Sequence, residues 1–121
     1  MTRQNISSGS PWEDKIGYSR AVKIGNTIEL SGTTSPGETI EEQTKGIIEL
    51  AKKVLEENGS SLNDVVRTRM FLTDISQWEK VGNVHGAYFG EIKPATTIVE
   101  ISKLIDPAIY IEVEFTAIIS E

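Results

Sequence analysis

From Ile109 to Ile119 the chain alternates strictly between two kinds of residue. Ile109, Ile111, Val113, Phe115 and Ala117 fall on one side of an extended strand, and Tyr110, Glu112, Glu114, Thr116 and Ile118 on the other. A period of two held over this whole run excludes a helix. The first face is apolar throughout and needs a cover. The second mixes two carboxylates with Tyr and Ile, a composition that fits an oligomer interface carrying a few polar sites. Self-association is therefore expected.

The preceding run, Pro94-Ala95-Thr96-Thr97-Ile98-Val99-Glu100-Ile101, is rich in β-branched residues. It predicts a strand over Thr96 to Lys103, joined across Asp106-Pro107 to a closing strand over Ile109 to Ile119 as a hairpin. Upstream, Ile16 to Val22 and Thr27 to Gly32 read as short strands around a Gly25-Asn26 turn. Thr39 and Glu42 form a capping box. Behind it Ile47, Ile48, Ala51, Val54 and Leu55 repeat at helical spacing, until Asn58-Gly59 ends the helix. Gly46 inside this helix marks close packing. In Val65 to Leu72, Val66, Thr68, Met70 and Leu72 are expected on one face and Val65, Arg67, Arg69 and Phe71 on the other. Ser76 and Glu79 read as a second capping box, opening a helix whose buried stripe is Trp78, Val81, Val84, His85, Tyr88 and Phe89, closed by Gly90. The order β-β-α-β-α-β-β predicts an α+β sandwich with both helices on one sheet face.

With 121 residues the chain supports one core, so residues 1–121 read as a single domain, with 1–13 a flexible or docked arm. Eighteen acids against twelve bases give a net charge of −6, which argues against a nucleic-acid partner. The absence of cysteine removes thiolate nucleophiles, thiolate metal sites and disulfides. The first ten residues lack a signal-peptide core, and no apolar run is long enough to span a membrane, so a soluble, cytoplasmic protein is expected.

Glu112 and Glu114 suit either a solvated strand face or one wall of a site, where a carboxylate acts as acid, base or water-orienting group. Tyr18 and Arg20 share a strand face, as packing residues or as a hydroxyl and a fork for an anion. Ser31-Gly32 offers a hydroxyl and an unhindered N–H, or simply a strand-end turn. His85, the only histidine, reads as a satisfied core residue. No metal-ligand cluster, Walker loop or dinucleotide fingerprint is present, and no cofactor is expected.

Gly17-Tyr18, Gly25-Asn26, Leu30-Ser31-Gly32, Arg69-Met70-Phe71-Leu72-Thr73-Asp74, Tyr88-Phe89, Pro94-Ala95 and Ile111-Glu112-Val113-Glu114 together resemble the RidA/YjgF family, across roughly Tyr18 to Ile118. The resemblance implies a homotrimer of chorismate-mutase-like subunits with small-molecule clefts between neighbours. It also implies cofactor-free hydrolysis of reactive enamines and imines to 2-keto acids and ammonia. It places Tyr18, Ser31, Gly32 and Glu112 in the cleft, with Glu112 positioning or activating water. Where most deaminating members have an arginine that forks onto the substrate carboxylate, this chain has Thr96. Ile98 stands where a cysteine is frequent, and Gly82 where an asparagine is. Losing the fork removes a charge-assisted contact worth about 1.5–3 kcal/mol. The resemblance thus implies a hydrolase for an imine, enamine or related small electrophile without a free carboxylate, or one that uses Arg20 as a substitute cation. A non-catalytic metabolite-binding trimer is the alternative. A ribonuclease, an activity claimed for some relatives, fits the acidic charge and single His least.

Overall fold

The structure, a computed structural model, describes residues 1–120. Six strands and three helices follow in the order β1 (Arg3–Ile6), α1 (Pro11–Ile16), β2 (Ala21–Ile24), β3 (Thr27–Thr33), α2 (Ile40–Glu57), β4 (Val65–Leu72), α3 (Trp78–Phe89), β5 (Ala95–Glu100) and β6 (Ile111–Ile118). The strands form one sheet, ordered β1-β2-β3-β6-β4-β5. Only β4 and β5 run parallel; the other neighbours are antiparallel. The two long helices cover one face, as the apolar stripes require. Ile47, Ile48, Ala51 and Leu55 of α2 and Val81 and Phe89 of α3 meet Ile28, Leu72, Ile111, Val113 and Phe115 of the sheet in one core. The fold is α+β, as expected. No described helix is long and apolar enough to cross a membrane.

The expected hairpin does not form. α3 carries the chain back across the sheet, so β5 lies parallel to β4, as a strand–helix–strand crossover dictates. Residues 101–110 then step over the end of β4, where Ile101 N–H donates to Leu72 O at 2.8 Å and Thr73 N–H to Tyr110 O at 3.2 Å. This passage delivers β6 between β3 and β4. The Asp106-Pro107 turn is real, with Asp106 accepting Ala108 N–H at 2.8 Å, but it sits inside a loop.

The N-terminal stretch is also more ordered than its composition indicates. β1 pairs with β2 along the sheet edge. The expected strand at Ile16 to Val22 is displaced by α1, which Ser10 caps, Pro11 starts and Gly17 ends at φ 88°. In β4 a bulge between Val65 and Arg67 reverses the first two positions: Val65 is 3% exposed and Val66 42%. Ser76 does not cap α3. Asp74 instead accepts its N–H and hydroxyl, closing a 3-10 turn over Ile75–Gln77 that runs into the helix. Trp78 is 53% exposed, outside the expected buried stripe, and Gly90 keeps helical backbone angles.

Thr39 caps α2, and a Cβ added at Gly46 would overlap the Ser35 hydroxyl, so this glycine does mark close packing. Near the helix start, buried Gln43 ties the two long loops together. Its amide donates to Gly37 O at 3.1 Å and Ala108 O at 2.8 Å, and its carbonyl accepts Tyr110 N–H at 2.9 Å. Replacing it with an apolar side chain strands three backbone groups. Gln43→Leu is expected to lower the unfolding free energy by about 2–4 kcal/mol in a urea titration.

Candidate functional site

β3 carries a bulge between Leu30 and Thr33: both face the core, opposite Phe115 and Val113, with Ser31 and Gly32 displaced between them. Such a bulge turns backbone carbonyls away from the ladder, and Arg20 collects them. Its Nη2 donates to Ser31 O at 2.8 Å, Gly32 O at 3.0 Å and Thr33 Oγ1 at 2.9 Å. The Arg20 Nε is buried without a hydrogen-bond partner. The guanidinium is thus a strut beneath the bulge, and the nitrogen that a substrate carboxylate would share is already occupied.

Glu112 projects from β6 over this bulge. A Cβ built at Gly32 would lie 2.5 Å from Glu112 Oε2 and 2.8 Å from its Cδ, so the carboxyl rests on the space that a glycine leaves open. Glu112 is half-buried, and burial raises its pKa above the usual carboxylate range. The neighbouring Glu114 adds to the rise and Arg20 opposes it. A carboxyl pushed upward is poised for proton transfer closer to neutral pH.

Ser31 precedes Gly32 in the bulge, its hydroxyl donating to Ser19 O at 2.6 Å, which leaves the oxygen lone pairs for a ligand. Tyr18, just beyond the α1 cap, shares with Ser31 an open depression of 490 Å³ that Glu13, Ser19 and Val22 also line. Ser8 pins the Glu13 carboxylate from its hydroxyl at 2.5 Å and its N–H at 3.0 Å, and these bonds hold the Glu13 pKa low. Tyr18 and Ser31 thus share one depression, and Gly32, next to Ser31 in the bulge, lies beneath the Glu112 carboxyl.

Thr96 and Ile98 are not part of this group. They sit on β5, three strand spacings from β3, or about 14 Å. They also face the other way. Ile98 pairs with Met70 and packs on the helix-covered core, and the Thr96 hydroxyl meets that of buried Thr68 at 2.8 Å. Behind Thr68, at 2.9 Å, stands His85 Nε2, whose ring is tilted against Phe89 at 4.7 Å between centroids. Burial lowers the His85 pKa, in keeping with a neutral core histidine. No periodicity argument could have exposed the chain from Thr96 through Thr68 to His85, because it depends on β5 lying beside β4. Among the described residues, no group of three or more His, Cys, Asp or Glu is placed to hold a metal ion.

The family model described as Endoribonuclease L-PSP matches residues 12–119. The chain belongs to this family, known also as YjgF/RidA. A crystal structure of a Mycobacterium tuberculosis member of the YjgF/YER057c/UK114 family superimposes with a TM-score of 0.94 at 44% identity, covering 98% of this chain and 100% of that one. A RutC family protein from Pyrococcus abyssi is 45% identical over 95 residues, 72% of this chain and 75% of its own length. The Arabidopsis thaliana protein named Reactive Intermediate Deaminase A, chloroplastic, is 26% identical over 95 residues, 72% of this chain and 51% of its own length.

For this family member the raised Glu112 pKa has a measurable sign. A carboxyl whose folded value exceeds its unfolded one binds its proton more tightly when folded, so stability falls as pH rises through the interval between them. Glu112→Gln removes that loss. The variant is expected to unfold at higher urea than the parent at pH 7, and the two midpoints should converge below about pH 4, near the unfolded glutamate value.

Proposed function

We propose that this protein is a cofactor-free hydrolase of a small imine or enamine, working in a cleft between neighbouring subunits of a homotrimer. The observation that carries the reading is the Glu112 carboxyl, half-buried, held over Gly32 of the β3 bulge and raised in pKa. The name of the Arabidopsis relative supports the reaction class. Glu112 takes a proton from water as its oxygen adds to the C=N carbon, forming a carbinolamine. The same carboxyl returns that proton to nitrogen to complete the carbinolamine. It then takes the hydroxyl proton and delivers it to the departing nitrogen as the C–N bond breaks, so that a carbonyl compound and ammonia leave. An enamine enters the same path after protonation at carbon.

Subunit sharing is supported by the opposite placement of the two groups of site residues. Glu112 and Thr96 point away from each other in one chain, so a cleft lined by both needs a second copy. The exposed face carrying Ile24 and Ile118 and the open edge of β5 supply surfaces for it. Thr96 itself carries no charge to meet a carboxylate, and the Arg20 Nη2 is held by the bulge. The substrate is therefore an electrophile without a free carboxylate at that end, and 2-iminobutanoate is a poor one. A ribonuclease reading, which the family description carries, is disfavoured by the excess of acids over bases.

Sedimentation at micromolar concentration is expected to give a trimer; a monomer would remove the shared cleft. A thermal-shift screen of imines, enamines, lactams and acyl carbamates, followed by turnover assays, tests the chemistry. For a turned-over hit, Glu112→Gln should keep affinity within a few-fold and cut the rate roughly 10²–10⁴-fold. Ligands that bind, stay intact over hours and lose only affinity in the variant would establish a metabolite-binding trimer instead. Gly32→Ala provides an independent check, because the added methyl displaces the far end of a flexible side chain and not backbone. It should spare folding and reduce turnover about as severely.

A further inference from the structure

We infer that Thr96 meets a ligand as a hydrogen-bond acceptor, held in that sense by His85 through Thr68, so that the cleft selects an uncharged group bearing N–H or O–H over a carboxylate. This deepens the cleft reading above and rests on it. The geometry is a linear chain of four polar groups. Thr96 Oγ1 lies 3.2 Å from Pro94 O, Thr68 Oγ1 lies 2.8 Å from Thr96 Oγ1, and His85 Nε2 lies 2.9 Å from Thr68 Oγ1.

Each hydroxyl owns one proton, and the carbonyl at the outer end can only accept. If the Thr96 proton goes to Pro94 O, Thr96 must accept from Thr68. Thr68 has then spent its proton and must accept from a protonated His85 Nε2. All three contacts are filled in this sense. In the reverse sense Thr96 donates inward and Thr68 donates to a bare Nε2, which leaves two oxygens facing each other at 3.2 Å with no proton between them. The outward sense is the one the distances satisfy. Thr68 is fully buried, and its hydroxyl is held between Thr96 and His85, so the sense is enforced at its middle. The Phe89 ring fixes the imidazole from behind.

The result is an exposed Thr96 oxygen with its proton turned away and a lone pair turned out. A carboxylate would set its own lone pairs against it, whereas an amide or hydroxyl proton would be received. The polarity of this position is thereby the opposite of an arginine's. His85 touches no ligand; it is a positioning residue acting two hydrogen bonds away.

The test uses the isotope-labelled full chain and two probes, 2-oxobutanoate and its primary amide, which differ at one end only. Ring ¹⁵N shifts should place the His85 proton on Nε2, and the amide should bind at least roughly tenfold more tightly than the acid. Thr68→Val should reduce that preference to within about threefold, whereas Thr68→Ser and His85→Gln, which keep a hydroxyl and a donor, should retain it. If Thr68→Val does not fold, His85→Phe removes the donor and keeps a ring against Phe89. A proton on Nδ1, equal or tighter binding of the acid, or a preference untouched by Thr68→Val or His85→Phe would overturn the inference while leaving the cleft intact. If neither probe moves the Thr96 and Glu112 amide signals, the cleft reading falls and the inference falls with it.

Discussion

The arrangement around Glu112 depends on one nitrogen of Arg20. A two-residue bulge in β3 brings Ser31 and Gly32 to the surface but turns backbone carbonyls out of the ladder, and leaving such groups buried and unpaired costs about 1–3 kcal/mol each. The guanidinium resolves this by bonding both carbonyls and the Thr33 hydroxyl at once. Once the bulge is fixed, Gly32 stays beneath the Glu112 carboxyl, and Ser31 is locked to Ser19. The positive charge also restrains how far burial and Glu114 raise Glu112. An arginine that reads in the sequence as a fork for ligands is thus first a support for backbone.

Much of this was legible from pattern alone, because the long elements have strong periods. The α2 stripe, the faces of β6 and the α+β class follow directly from residue spacing and survive in three dimensions. What failed was short or nonlocal. The α1 signals were all present, with Ser10, Pro11 and Gly17 at their proper places, but six residues are too few to show a stripe. The bulge at Val66 shifted one register position by an amount that alternation cannot encode. The hairpin reading failed because a turn signal fixes a local bend, not the partner of the strand beyond it.

The site was legible to the same degree. Glu112 on the polar face of β6 follows from alternation, and its proximity to Gly32 needs only that β3 and β6 be neighbours. The separation of Thr96 from that group could not be read, since it depends on β5 lying on the far side of β4. The polar chain through Thr68 to His85 was hidden for the same reason. Threonine in a strand interior looks like β-propensity until its cross-strand partner is known.

The position of β6 also bears on how the molecule comes into being. The last strand in the sequence is an interior strand of the sheet, flanked by β3 and β4. During synthesis the meander β1-β2-β3 and the crossover β4-α3-β5 can each assemble early, but each must wait with an unpaired inner edge. Only when Ile111–Ile118 arrives do the two halves acquire a common ladder and the helices a continuous floor. Closure of this kind pairs residues far apart in sequence, such as Ile28 with Ala117, so loop entropy is spent before the contacts form. The nascent chain therefore carries the two unpaired inner edges of β3 and β4 as templates for wrong partners until β6 is made.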